Sequence, residues 1–149
     1  MVEINKKLLS RLLLAPLVIG LLLASLCLHL ETGTASSKTQ IIENITPKEA
    51  YTLIVKNKDN PDFVILDVRT PREFANGHIE NALNLDYYSE TFKDDLNSLE
   101  KNKTYLIYCR SGRRSGKALD MMKELNFSRV YNMLGGITQW KTEGLSTTK

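Results

Sequence analysis

The segment of the chain with the most chemistry in it is Cys109-Arg110-Ser111-Gly112-Arg113-Arg114-Ser115. A thiol is followed by three arginines within five residues, interleaved with serine and glycine. The thiolate, not the thiol, is the nucleophile, and neighbouring cations favour it. Residues 104–108, Thr-Tyr-Leu-Ile-Tyr, read as a strand that delivers Cys109 at its C-terminal end, and residues 115–125 read as a helix. A thiol between a strand end and a helix start meets unpaired backbone N–H groups and the positive end of the helix dipole. This predicts a reactive Cys109. The loop from Arg110 through Ser111, Gly112, Arg113 and Arg114 to Ser115 is then placed to hold an anionic substrate, or the anion left on the sulfur. The competing reading is an inert core cysteine, but basic and small residues make poor core material.

Among the arginines, Arg110 is favoured for direct substrate contact. Arg69, in Asp67-Val68-Arg69, is a further candidate for assisting anion binding, although a structural role comes first for it. Asp67 and Glu73 are expected to form ion pairs and hydrogen bonds that shape the rim of the site. His78, in a Gly-His-Ile turn, fits backbone fixing better than general-base work, and Trp140 fits core packing. The only histidines are His29 and His78, and no Cys or carboxylate cluster has metal-ligand spacing, so no metal is expected. A phosphate-binding glycine loop of nucleotide type is also lacking.

The elements that must position these residues alternate along the chain. Thr46-Pro47-Lys48-Glu49 is a helix start, with Thr at the N-cap and Pro first in the helix, and the helix should run to about Lys56. Residues 63–66, Phe-Val-Ile-Leu, suit a strand buried on both faces. Thr70-Pro71-Arg72-Glu73 repeats the capping chemistry for a short helix ended by Gly77. Residues 82–85 suit a brief strand, residues 90–99 a helix, Val130-Tyr131 a last short strand and residues 137–141 a final helical turn. Alternation of this kind implies an α/β fold, a parallel sheet covered by helices on both faces, with ligands beyond the carboxyl ends of the strands.

The whole chain has 149 residues and a formal net charge of +3. That length suits one ordinary domain. The charge is well short of a nucleic-acid-binding surface, so no nucleic acid is expected as partner. Apolar residues are unevenly spread. Residues 12–30 are 19 positions without a charge, preceded by Lys6, Lys7 and Arg11. This hydrophobic N-terminal segment reads as a signal peptide cleaved after Ala35, within residues 1–35, or as a membrane anchor formed by residues 12–30. Either way the segment meets the membrane, and export of the domain, or its anchoring to the membrane, is expected. Residues 36–40 read as a tether and residues 41–145 as the domain. Once residues 1–35 are removed, Cys109 is the one cysteine left, so no internal disulfide can form.

Across residues 41–145 the sequence resembles a single-domain rhodanese, and with its N-terminal segment it is similar to the exported rhodaneses of bacteria, which implies the periplasm, or the inner membrane if residues 12–30 stay as an anchor. Asp67-Val68-Arg69 with Glu73-Phe74, Gly77-His78-Ile79, Ala82 and Asn84-Leu85 is similar to the N-terminal signature of that family. The segment from Cys109 to Ser115 is similar to its active-site loop, and Gly135-Gly136 with Trp140 to its C-terminal signature. The resemblance implies a three-layer rhodanese-like fold and sulfane-sulfur transfer. Cys109 would attack the outer sulfur of a small anionic donor such as thiosulfate, become a persulfide, and pass the sulfur to cyanide or a thiol. No cofactor is implied, since the moving sulfur rides on Cys109. Two other readings stand beside this one. A sulfur carrier or redox relay acting on a partner protein would use the same chemistry. Phosphatases and arsenate reductases of this fold use Cys-x5-Arg, in which the arginine clamps a phosphoryl group. Here that position is Ser115, and Arg114 gives the shorter Cys-x4-Arg.

Overall fold

The computed structural model describes residues 39–149. The hydrophobic segment read as a signal or anchor lies outside the described residues. The described chain runs β1 (Ile41–Ile45), α1 (Pro47–Lys56), β2 (Phe63–Asp67), α2 (Pro71–Ala75), β3 (Leu83–Asn84), α3 (Phe92–Ser98), β4 (Thr104–Tyr108), α4 (Arg113–Glu124), β5 (Arg129–Met133) and α5 (Gly136–Thr142). Both expected capping boxes form. The Thr46 hydroxyl accepts the Glu49 amide while the Glu49 carboxylate accepts the Thr46 amide, and Thr70 and Glu73 repeat the pattern at the start of α2.

The five strands form one parallel sheet in the order β1-β5-β4-β2-β3. Every residue of β4 is buried, and its side chains alternate between two cores. Tyr105 and Ile107, with Cys109 just beyond the strand, face Phe92 and Leu96 of α3 and Ala118, Leu119 and Met122 of α4. Leu106 and Tyr108 face Ala50 of α1 and Ile137 and Trp140 of α5, with Phe74 of α2 packed against the same cluster. These are the three layers expected from the alternation of elements. Among the described residues no helix is long and apolar enough to cross a membrane.

Several boundaries differ from the sequence expectation by a residue or two, and three differences have a clear physical reason. Residues 41–45, given no element by their pattern, are strand β1, because they pair with β5 from Ile41 opposite Arg129 to Ile45 opposite Met133. Strand β5 is longer than Val130-Tyr131 because it pairs on both edges. Helix α4 begins at Arg113, two residues earlier than expected, because Gly112 adopts φ +90° and turns the loop directly into the helix. Contacts of the fold also continue past Leu145. His78 and Thr148 exchange backbone hydrogen bonds at 2.9 and 2.8 Å, which ties the C-terminal residues to the end of α2.

Candidate active site

Cys109 follows the last residue of the central strand, at the carboxyl end of the sheet. Backbone contacts from the end of β2 and from the start of α5 fix it there. The Val68 amide donates to the Tyr108 carbonyl at 2.9 Å. From the start of α5 the amides of Ile137 and Thr138 donate to the carbonyls of Cys109 and Arg110, at 2.9 and 3.1 Å. This approach needs glycine: a Cβ on Gly136 would collide with the Cys109 and Arg110 carbonyls. On the far side, the Tyr108 ring lies in the other core, where its hydroxyl accepts the Ile79 amide at 3.1 Å.

The loop arches over the sulfur. Sγ of Cys109 accepts the Gly112 amide at 3.1 Å and lies 3.5 Å from the Ser115 hydroxyl. That hydroxyl is also 3.2 Å from the Gly112 carbonyl, and its single proton serves one partner at a time. Burial of the thiol pushes its pKa up. The Ser115 amide and hydroxyl, with the amides of Ser111 and Arg114, outweigh burial, so the thiol ends below its ordinary range. Cys109 is only 1% exposed, as an inert core cysteine would be. Its polar donors set it apart: a sulfur wrapped only in apolar atoms would be raised in pKa, not lowered.

The arginines divide into two kinds. Arg69 is buried and gives Nε and Nη2 to the Asp67 carboxylate, the closest contact being 2.6 Å, and Nη2 also donates to the Gly77 carbonyl at 2.8 Å. Arg114 gives both terminal nitrogens to Glu73, at 2.7 and 2.8 Å, with its guanidinium 5.4 Å from the centre of the Tyr88 ring. The Arg114 hydrogen bonds hold the Glu73 carboxyl down to about 2 against the effect of burial. Arg110 and Arg113 are exposed and have no side-chain hydrogen bond or ion pair among the described residues. Of the sequence-predicted site residues, then, Ser111, Gly112 and Ser115 stand around the sulfur, while Arg110 and Arg113 line open space beside it. Arg69 and Arg114 are each tied to a carboxylate.

A match to the family model of the rhodanese-like domain covers residues 46–143. The chain belongs to the rhodanese-like domain family. A sulfurtransferase of Allochromatium vinosum is 37% identical over 87 residues, covering 58% of this chain and 79% of that protein. The crystal structure of a rhodanese-related protein from Thermoplasma volcanium superposes with TM-score 0.61 at 27% identity, over 71% of this chain and 97% of that one. A tRNA uridine(34) hydroxylase of an Enterobacter species is 35% identical over 88 residues, but this chain spans only 25% of its length. The rhodanese-like domain is thus shared between sulfurtransferases and longer proteins of other named activity.

Within this rhodanese-like domain several residues of the site carry no local sequence signal. Glu73, expected to form an ion pair, finds its partner in Arg114, 41 positions away. Asn84 proves to clamp the strand end, its side-chain amide donating to the carbonyls of Asp67 and Arg69 at 2.9 and 2.8 Å. Lys141, Asn76 and Tyr88 also line the site, and none carries a local sequence signal for it. His78 lies against Phe74 with ring centres 3.7 Å apart and its Nδ1 3.1 Å from the Phe74 carbonyl. Among the described residues no group of three His, Cys, Asp or Glu side chains is gathered as metal ligands would be.

Proposed function

We propose that this protein is a thiosulfate:cyanide-type sulfurtransferase that carries sulfane sulfur as a persulfide on Cys109. The observation that supports this reading best is the sulfur itself, buried in a six-residue loop with an amide at 3.1 Å and a hydroxyl at 3.5 Å, and with its pKa lowered. A thiolate attacks the outer sulfur of thiosulfate, the sulfur–sulfur bond of the donor breaks, and sulfite leaves with the electron pair. The same amides then face the persulfide. Cyanide or a thiol attacks its outer sulfur, and the electron pair of the broken bond returns to Cys109 as thiolate.

The same geometry counts against phosphoryl transfer. An arginine clamp needs a free guanidinium to make two parallel bonds to the phosphoryl oxygens. Ser115 stands at the clamp position of the longer loop, and Arg114 is already bonded by both terminal nitrogens to Glu73. The reading includes export, because the apolar stretch 12–30 follows basic residues as signals and anchors do.

Incubation of the full chain with thiosulfate is expected to add one sulfur to the intact mass, and cyanide is expected to remove it as thiocyanate. Cys109→Ser should abolish both while leaving the far-ultraviolet circular dichroism unchanged. Phosphate release from an aryl phosphate without thiocyanate formation would overturn the proposal. Transfer to a partner protein with none to small molecules would favour the carrier reading instead.

A further inference from the structure

One Asn-Gly step occurs in the chain, Asn76-Gly77, and the fold sets it among cations. A backbone amide can attack the side-chain carbonyl of the asparagine before it, and the Cβ of the attacking residue normally hinders the approach. Gly77 has no Cβ, and its φ of +123° is one that a side chain would resist. Asn76 is the exposed C-cap of α2 and lines a recess of about 370 Å³ between α2 and α5. The same recess is lined by Arg69, Arg110 and Lys141, against the single carboxylate of Glu73. Asp67 neutralises Arg69 and Arg114 engages Glu73, which leaves Arg110 and Lys141 with no ion pair among the described residues. Lys141 comes close to the peptide link, its Nζ 3.5 Å from where a Cβ on Gly77 would lie.

Charge decides how readily such a step reacts. The Gly77 nitrogen must lose its proton before it attacks, and the intermediate and the final carboxylate are both negative. Cations held nearby lower the cost of each of these anions. Hydrogen bonding holds the reaction back, because the Gly77 amide donates to the Phe74 carbonyl at 3.0 Å. Attack therefore waits for the last turn of α2 to open. That helix has five residues, none of them fully buried, so the opening is a small local event.

We propose that Asn76 is a modification site, deamidated through a succinimide with Lys141 promoting the attack, at which the recess gains a carboxylate. This holds whether or not Cys109 carries sulfur. Hydroxide removes the Gly77 amide proton, and the nitrogen forms a bond to Cγ of Asn76. The bond from Cγ to the side-chain nitrogen breaks, and ammonia leaves with a proton from solvent. Water then opens the ring at either carbonyl, so that the products are aspartate and isoaspartate; nothing is oxidised or reduced. Either product changes the rim of the site. Aspartate sets an anion beside Lys141 and Arg110. Isoaspartate also lengthens the main chain by a carbon just ahead of the Gly77 carbonyl, which Arg69 holds at 2.8 Å, and of His78, which pairs with Thr148.

The test incubates the full chain at mildly alkaline pH and follows the peptide that carries Asn76 by mass spectrometry, with fragmentation that tells aspartate from isoaspartate. We expect Asn76 to gain the mass difference between an amide and a carboxyl sooner than Asn97, an exposed asparagine followed by Ser98, and to yield both isomers. Lys141→Gln should slow the reaction about two- to fivefold in the folded protein, the size an exposed charge supports, and Lys141→Arg should restore the rate. Lys141 is exposed, so neither variant threatens the fold. In the urea-unfolded chain, where the cations are dispersed, Lys141→Gln should change nothing. Aspartate as the sole product, or Asn97 reacting first, would overturn the site. An equal effect of Lys141→Gln with and without urea, or no effect in either, would overturn the part given to Lys141.

Discussion

Glu73 does three jobs with one carboxylate. It accepts the Thr70 amide and hydroxyl, both at 3.1 Å, and both terminal nitrogens of Arg114. It therefore cancels most of the charge that Arg114 would otherwise place beside Cys109, and that charge acts on the sulfur. Two opposing influences follow for the thiolate: Arg114 stabilises it and Glu73 offsets Arg114. Glu73→Gln removes the offset while leaving an oxygen that still accepts. We expect the Cys109 titration, followed by thiolate absorbance, to move to lower pH by about half a unit to one unit. A shift to higher pH would mean that Glu73 acts on the sulfur by shaping the loop, not by offsetting charge.

At the scale of elements, helix α4 starts against its own electrostatics. Arg113 and Arg114 occupy its first turn, where the dipole favours acidic side chains, and no acidic residue is present there. A local reading of the sequence therefore starts this helix at Ser115, whereas Glu73, far away in sequence, supplies the missing negative charge. The two Thr-Pro-x-Glu helix starts were legible because their chemistry closes within four residues. Strand β4 is legible because its run is rich in β-branched and aromatic residues, and all of it is buried. Strand β1 was not: Ile41, Ile42 and Ile45 do not alternate, and the strand exists only because β5 supplies a partner. The loop from Cys109 to Ser115 can be read from its own residues, but Lys141 and Asn84 reach the candidate site only through the fold. Glycine gives a direct contrast between elements. At Gly136, with φ +56° and the Cys109 carbonyl against it, alanine should cost about 2–4 kcal/mol. At Gly116, inside α4 with nothing within 4 Å of an added Cβ, alanine should stabilise by about 0.5–1 kcal/mol. Urea unfolding midpoints moving in opposite directions would support this account of the loop, and two neutral changes would contradict it.

At the scale of the whole molecule, the site is the seam where the two layers of helix meet beyond the sheet. Helix α2 belongs to the layer with α1 and α5, and α4 to the layer with α3, so the bond from Glu73 to Arg114 ties one layer to the other. Its pH dependence has a definite sign. Arg114 holds the Glu73 carboxyl at about 2 in the folded protein, below the ordinary carboxyl value of 4.5. The stabilisation is therefore complete above about pH 4.5 and is lost as pH falls toward 2. Glu49 is also lowered, by the Thr46 amide and hydroxyl, but it caps α1 within one layer and joins nothing across the sheet. Acidification from pH 5 to 2 should accordingly speed amide exchange in α2 and the first turn of α4 before it reaches β4, whose residues are all buried. In Glu73→Gln the extra exchange at α2 and α4 should already be present at pH 5 and change little with acid, while the Glu49-dependent loss in α1 persists. Uniform loss of protection across sheet and helices in both proteins would show that acid unfolds the domain as a unit and that this ion pair is not its weak seam.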